Sequence, residues 1–550
     1  MSVFALVETG ELGRRRLSYL APRFKPDMTG QLDPIRGAPA CQVPSEHLAR
    51  RVLVWVGSLD TNLLEDRYSP LGRHGHAPKR VLGVWVYASL NGVHSATKVE
   101  GLTETDAAYR LLSGGHVISA SVLRTFRREN KRFLAEAIQQ TVRMAYERGL
   151  LDPEQLAVDS ARIRANASTK SMRTLARSTK RLAELGEVDT TKLGEAQRRE
   201  HEAKVAKHAE AVRRCEAEGR TSFSTTNATA GLMKFPDGAS LPGHRVTVTA
   251  AGSWLRFVVD VLVTNKANDF GSLEESVVRA RDALRAAGLP EGQRLQVAAD
   301  PGYLSTRDLV FAAASRDWVD VLIHEPPPER RSKDRDKGGV FGRERFTILE
   351  DGTAICPAGQ KMKGPMWQTE SRRVWRGDGC AECPLKPQCT VGRWRSLTQD
   401  VESDRVYAAM RERMAEQGAK QRYNRRIATV EPVFGTIEEK MGYRRAASRL
   451  ADTVDAEILL KVLAYNLGRL AAGIPLLWIR VAGIQDQTGT RILGVWTPIW
   501  TCLPSRETFD DHEMDPRPHA RLGHQGSRPD DHRDGTWVLK NARELFSLAL

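Results

Sequence analysis

The stretches Leu156-Ala157-Val158-Asp159 and Val297-Ala298-Ala299-Asp300 decide the predicted fold, because each is a short apolar run that ends in an aspartate. Runs of this kind are typical of buried strands. Around them lie a predicted hairpin, two predicted helices and a further strand, at residues 245–264, 273–287, 306–314 and 319–323. This order predicts an α/β fold, a mixed sheet flanked by helices.

Regions outside the sheet differ from it in composition. Residues 45–151 carry apolar residues at helical spacing and predict an all-α N-terminal domain. Residues 170–230 are dominated by Lys, Arg, Glu and Ala and predict a charged helical insert, whereas residues 326–400 form a Cys-rich insert. Residues 1–44 predict a flexible arm, and residues 477–550 predict a largely disordered tail.

The overall charge favours a nucleic-acid partner. The chain has 83 basic and 68 acidic residues and a net charge of +15, although a basic protein that is merely soluble is the alternative. Its apolar runs are shorter than the roughly 18 residues of a membrane span. Residues 1–16 lack the features of a secretory signal. We therefore expect a cytoplasmic, nucleoid-associated protein with no membrane partner.

Asp159 and Asp300 are candidate ligands for divalent cations. Phosphoryl transfer between DNA strands needs an activated oxygen nucleophile and stabilisation of the leaving oxygen. Two Mg²⁺ ions about 3.5–4 Å apart meet both needs, and carboxylate oxygens are their natural ligands. The alternative is that an aspartate after a strand caps a turn or helix. Capping is the better interpretation of either residue alone, whereas the pair in a basic chain favours a metal site.

Several motifs resemble those of bacterial insertion-sequence DDE transposases. Residues 158–168 resemble the first catalytic-aspartate motif and residues 298–305 the second. The glutamate motif is resembled by Tyr423, Arg426 and residues 430–435. Residues 464–470 are similar to the helix that closes the catalytic domain, and the helical N-terminal region is similar as well. The likeness runs in order along about residues 45–472.

The resemblance implies an RNase H-like catalytic domain over residues 152–476. It also implies metal-dependent DNA cleavage and strand transfer by Asp159, Asp300 and Glu431, with Mg²⁺ or Mn²⁺ as cofactor. Element ends and target DNA would be the partners, bound by a homo-oligomer. The alternatives are a nuclease that uses the same carboxylates and an inactive DNA-binding relic of a transposase.

The third acid is predicted to be Glu431 rather than Glu438. Proline is tolerated in the first turn of a helix and disrupts its interior, so Pro432 predicts a helix that begins near Glu431. Glu438 then lies two turns, about 10 Å, further along. The resemblance also points to Glu431, because Glu438 stands where the family commonly has a lysine. The alternative is that Glu431 only caps the helix.

Four cysteines of the Cys-rich insert form a candidate zinc site. Cys380 and Cys383 have the spacing of a two-thiolate chelate, and Cys356 and Cys389 supply two further thiols. Four thiolates suit tetrahedral Zn²⁺, which would stabilise a segment poor in apolar residues. Free thiols are the alternative. The remaining cysteines are isolated and are expected to be inert: Cys41, Cys215 and Cys502.

Basic and aromatic residues near these motifs are candidates for phosphate contacts. They are Arg162, Arg164, Tyr423, Arg426, Arg444 and Arg445. For any single arginine, a solvated helix face is the alternative. The histidines His74, His76 and His94 are assigned to loops or to the core.

We predict that binding to duplex DNA depends strongly on salt, because a chain with a net charge of +15 should bind mainly through phosphates. Neutralising several phosphates releases counterions, so the affinity should fall about 10³-fold or more between 50 and 200 mM salt. Fluorescence anisotropy with a labelled duplex measures this slope. An affinity that stays flat over that range would contradict the prediction.

Overall fold

The structure is a computed structural model that describes residues 24–69, 73–252, 255–266, 269–326 and 341–473, and the strands at 477–480 and 496–499. Most of the predicted tail and the first part of the predicted arm therefore lie outside the described residues. Residues 24–43 of the arm lie against the helical region. The amide of Lys25 donates to Gly75 O (2.9 Å) and that of Met28 to Gly114 O (2.9 Å).

The N-terminal region is all helical, as its apolar spacing predicts. The helices are α1 (Pro39–Gln42), α2 (Leu48–Gly57), α3 (Asn62–Glu65), α4 (Pro78–Leu90), α5 (Ala96–Thr105), α6 (Ala107–Leu112), α7 (Ala120–Glu129) and α8 (Lys131–Glu147). The central helix is α4, in which residues 81–89 are all buried. The Asp106 side chain caps α6 by accepting hydrogen bonds from the Ala108 and Tyr109 amides.

The predicted mixed sheet is confirmed. The strands up to β8 are β1 (Leu156–Arg164), β2 (Met172–Thr174), β3 (Ser222–Ser224), β4 (Gly231–Lys234), β5 (Ser240–Ala251), β6 (Phe257–Thr264), β7 (Leu295–Ala299) and β8 (Val319–Ile323). The strands of the sheet run in the order β6-β5-β1-β7-β8, with β4 beside β5. Strand β5 is antiparallel to β1, whereas β7 is parallel to both β1 and β8.

The charged insert is a helical hairpin, as predicted. Its helices are α9 (Leu175–Gly186) and α10 (Glu195–Ala217), and the short strands β2 and β3 pair antiparallel at its base. Ion pairs within the helices, such as Arg199 with Glu195 and Arg213 with Glu210, lie on exposed faces. This pattern explains why a segment with so few apolar residues is helical.

Helices cover the sheet and tie it to the N-terminal region. The side chain of Asn466, fully buried, accepts from Val258 N (2.9 Å) and donates to Val258 O (2.8 Å) and to Thr141 Oγ1 (2.9 Å). It thereby joins the closing helix to β6 and α8. The helices are α11 (Leu273–Ala286), α12 (Thr306–Ala314), α13 (Lys386–Cys389), α14 (Val401–Ala415), α15 (Ala419–Gly435) and α16 (Ala451–Gly473).

The Cys-rich insert contains a small apolar core that its composition did not predict. Trp375 and Leu397 are buried together with Phe346, Ala354 and Met362. The strands are β9 (Thr347–Ile348), β10 (Ala354–Ile355), β11 (Lys363–Trp367), β12 (Arg372–Arg376) and β13 (Ser396–Asp400). Strand β13 leads directly into α14, where the Asp400 side chain caps the helix by accepting from Ser403 N.

The prediction that a helix begins near Glu431 is wrong. Helix α15 begins at Ala419 and contains Pro432 in its interior, and a π-helical turn, Thr436–Lys440, follows it. The carbonyl that loses its helical donor, that of Ala428, accepts a hydrogen bond from Arg256 Nε at 2.5 Å instead. A tertiary contact thus takes the place of the helical hydrogen bond that proline removes.

The predicted tail contains one structured element within the described residues. Strand β14 (Leu477–Arg480) pairs antiparallel with β15 (Trp496–Ile499). Across the part of the chain that the structure describes, no helix is both long enough and apolar enough to span a bilayer.

Candidate active site

The pairing of β1 with β7 places the two predicted aspartates side by side. Val158 lies opposite Ala299 in the parallel register, and each is followed directly by its aspartate. One oxygen of each carboxylate is held by the main chain: Ser160 N donates to Asp159 Oδ1 (2.7 Å), and Gly302 N donates to Asp300 Oδ1 (2.9 Å). Asp300 therefore caps a turn with Oδ1, whereas its second oxygen, Oδ2, lies near Arg426.

The three predicted acids surround one buried guanidinium, that of Arg426 on α15. Its Nη1 lies 3.1 Å from Asp159 Oδ2, and its Nη2 lies 3.3 Å from Asp300 Oδ2 and 4.0 Å from Glu431 Oε1. The Arg426 side chain is 8% exposed and that of Glu431 is 55% exposed. Three acids that are far apart in sequence thus converge on one cation.

The environment of Asp159 disfavours its ionised form. Burial raises its pKa to about 6, and the neighbouring charge of Asp300 acts in the same direction. The amide of Ser160 and the charge of Arg426 act in the opposite direction. Burial makes the ionised form of such a carboxyl group costly. A nearby cation would stabilise that ionised form.

The two candidate glutamates occupy different environments. Glu431 faces Arg426, whereas Glu438 lies on the π-helical turn and lines an apolar cavity with Phe434, Ile437 and Ile458. Burial raises the pKa of Glu438. Of the two glutamates, Glu431 is therefore the one that lies beside the arginine that the aspartates share, although no helix begins there.

A fourth acid beside the site was not predicted from the sequence. Asp269 forms an ion pair with Arg245 of β5, and Ser160 Oγ donates to Asp269 Oδ1 and accepts from Arg245 Nη1 (2.7 Å). The signal in the sequence was Arg245 itself, because a charged residue in a buried strand requires a partner. Gly302 lies close to the same acid. If residue 302 had a side chain, its Cβ would lie only 3.1 Å from Asp269 Oδ2.

Four of the six predicted phosphate-binding residues meet at the end of β1. Arg164 forms a parallel bridge with Arg445, and its amide donates to Arg444 O (3.1 Å). Arg162 donates to Lys234 O (2.8 Å), Arg164 pairs with Asp237 (2.6 Å), and Arg444 pairs with Glu439. The other two, Tyr423 and Arg426, are buried beside the carboxylates.

The four cysteines of the insert line one cavity. Cys356, Cys380, Cys383 and Cys389 share it with Met362 and Lys386, among other residues. Burial raises the pKa of the Cys389 thiol, and the other three cysteines act in the same direction. Even so, in the described ranges no group of three or more His, Cys, Asp and Glu side chains is arranged to hold a metal ion.

The histidines and isolated cysteines lie away from the carboxylates. His76 is hydrogen-bonded to Lys25 (3.0 Å), and the His94 ring packs on that of Tyr443. Cys41 is exposed, whereas Cys215 is buried in the helical hairpin. His74 is exposed in its loop, and Cys502 lies outside the described residues.

Comparison with known proteins identifies two segments of the chain as transposase-like. Residues 355–471 match a family model described as a transposase DDE domain, and residues 39–129 match one described as a transposase domain (DUF772). The two matches support the resemblance to insertion-sequence DDE transposases, and they indicate DNA transposition. The first match includes Glu431 and the four cysteines of the insert; Asp159 and Asp300 precede it.

Other comparisons add little. One solved structure that aligns with the chain is the cryo-EM structure of the piggyBac transposase synaptic complex with hairpin DNA. The alignment covers 82% of this chain and 77% of the piggyBac chain, at 9% sequence identity. Its TM-score is 0.28, too low to support any conclusion. No curated protein matches the chain.

We predict that Arg245→Met destabilises the fold by about 3–5 kcal/mol, because it leaves Asp269 partly buried without its cation. Arg164→Met is the matched control. Its ion pair with Asp237 is about half exposed on both sides, so the loss should be about 0–1 kcal/mol. Urea unfolding measures both free energies. Equal losses in the two variants would show that the buried pair has no special role.

Proposed function

We propose that the protein is a DNA transposase in which Asp159, Asp300 and Glu431 form a DDE triad on an RNase H-like core. The observation that carries the proposal is the convergence of these three acids on Arg426. The strand order β6-β5-β1-β7-β8, with the first three strands antiparallel and the last two parallel to β1, supports an RNase H-like core.

The donor set at the triad fits Mg²⁺ or Mn²⁺. All three residues offer hard carboxylate oxygens, which suit these ions. In this structure their common cationic neighbour is Arg426, and within the described residues the three acids are not arranged as a metal site. Asp159, Asp300 and Glu431 would hold the metal. When bound, divalent cations lower the pKa of an attacking water or hydroxyl and stabilise charge on the leaving oxygen.

The protein's own groups prepare the site for this role. The amides of Ser160 and Gly302 each fix one oxygen of an aspartate, which leaves the other oxygen toward Arg426. The guanidinium of Arg426 balances part of the clustered negative charge. The network of Ser160, Arg245 and Asp269 holds β1 in place beside the first aspartate.

We also propose that Arg162, Arg164, Arg444 and Arg445 contact DNA phosphates, since the structure brings them together at the end of the strand that carries Asp159. The DNA would be the ends of an element and its target. Because an element has two ends, we propose that a homo-oligomer assembles on DNA. The site of action would be the nucleoid of the cytoplasm.

Two other functions use the same residues. A nuclease would cleave with the triad without joining strands, and a relic would bind DNA without cleaving it. A joining assay with labelled element ends separates the first from a transposase, because a nuclease yields cut ends only. Intact inverted repeats around the gene favour an active element over a relic.

We predict that Asp159→Asn, Asp300→Asn and Glu431→Gln each reduce metal-dependent cleavage by at least about 100-fold while the fold stays intact. Loss of a mere hydrogen-bond partner of a metal ligand already costs 10–100-fold, and loss of a ligand should cost more. Glu438→Gln is the matched control and should retain cleavage. Normal cleavage by Glu431→Gln together with loss in Glu438→Gln would overturn the assignment of the third acid.

We further propose one structural Zn²⁺ at Cys356, Cys380, Cys383 and Cys389, since all four cysteines line one cavity, although their thiols are not arranged as a metal site in this structure. We predict about one zinc per chain by elemental analysis of the purified protein, and loss of that zinc in Cys383→Ser, because metal binding supplies folding energy to such segments. Cys215→Ser, in the helical hairpin, should leave the zinc content unchanged. A parent protein without zinc would show that the thiols are free.

A further inference from the structure

We propose that Arg256 is a positioning residue that holds the helix of Glu431 in place by making the hydrogen bond that Pro432 cannot make. The inference rests on the proposed function, because it concerns the third acid of that triad. It joins two otherwise unexplained features of the chain, a proline inside a helix and a non-glycine residue with a positive φ.

The first feature is a gap in the hydrogen bonds of α15. Pro432 lies inside the helix, directly after Glu431. Proline has no N–H, so the carbonyl four residues earlier, that of Ala428, receives no helical donor. The proline ring also crowds that carbonyl and turns it away from the helix. Without another donor, the helix would be weakest within a turn of the third acid.

The second feature fills this gap. Arg256 Nε donates to Ala428 O at 2.5 Å. Arg256 directly precedes β6, which is paired with β5, and β5 in turn is paired with β1. The contact therefore ties the helix that carries Glu431 to the sheet that carries Asp159.

The backbone of Arg256 shows what this contact requires. Its φ is 57°, in the left-handed region that glycine adopts more easily than any other residue. The conformation is held by Tyr465 of α16, whose hydroxyl donates to Arg256 O at 2.8 Å. A glycine would fit the backbone at lower cost, but it could not reach Ala428. We infer that the side chain is the reason for an arginine at this position.

Loss of the contact should move Glu431 more than it disturbs the rest of the site. Ala428 is three residues before Glu431, and Arg426, which touches both aspartates, lies on the same turn. The aspartates themselves are fixed by the sheet. A looser α15 would then change the position of the third acid relative to the other two.

A double-mutant cycle tests the proposal, with Arg256→Ala and Pro432→Ala combined in the full chain. We expect Arg256→Ala to slow metal-dependent cleavage about 10-fold, with unchanged affinity for the DNA substrate. This is the upper end of the effect expected for loss of a single hydrogen bond at an exposed carbonyl. Pro432→Ala restores an N–H at position 432, so the same Arg256→Ala change in that background should slow cleavage less than about 2-fold.

Arg285→Ala is the control and should have no effect; Arg285 lies on α11 and donates to the main-chain oxygen of Glu291, which follows that helix.

Hydrogen exchange of the free protein gives a second readout that needs no activity. Arg256→Ala should speed exchange of the amides in α15 around residues 429–435, and the double variant should reverse that change. Equal losses from Arg256→Ala in both backgrounds, or unchanged exchange in α15, would overturn the proposal. If the parent protein does not cleave while the exchange pattern follows the cycle, the proposed function fails and the positional role of Arg256 stands.

Discussion

The parallel pairing of β1 with β7 is the constraint on which the site depends. It sets Val158 opposite Ala299, so two aspartates that are distant in sequence become neighbours at one edge of a buried sheet. Like charges held this close and partly out of water are costly. The structure offsets that cost with the guanidinium of Arg426, supplied by a helix from a third part of the chain. The charges of the acids at the sheet and of the arginine on the helix therefore balance one another in part.

The two inserts lengthen the chain between the motifs without interrupting the strands that lead to the aspartates. The charged hairpin begins and ends at the paired strands β2 and β3. The Cys-rich insert returns through β13 straight into α14, and Arg343 of the insert forms an ion pair with Asp404 on that helix. The order of the motifs along the chain is therefore preserved although long segments separate them.

Local sequence patterns predict the strands of the central sheet and the two aspartates that follow them. Strands such as Leu295–Ala299 and Val319–Ile323 are dense apolar runs, so burial and backbone preference agree there. The start of α15 was mispredicted because proline's local preference is overridden by a side chain 176 positions earlier in sequence, Arg256. The sequence singles out Arg426 as a candidate phosphate contact, but its ion pairs with the two aspartates depend on contacts between distant segments. The position of Asp269 beside them depends on such contacts as well.

The most direct test of the account is binding of Mn²⁺ to the purified protein, followed by electron paramagnetic resonance in the absence of DNA. If the three carboxylates form one metal site, the parent protein should bind Mn²⁺, and Asp300→Asn should bind it much more weakly, while Glu438→Gln binds like the parent. Mn²⁺ prefers oxygen ligands, so the cysteines of the insert should not contribute. Equal binding by the parent and Asp300→Asn would contradict the account.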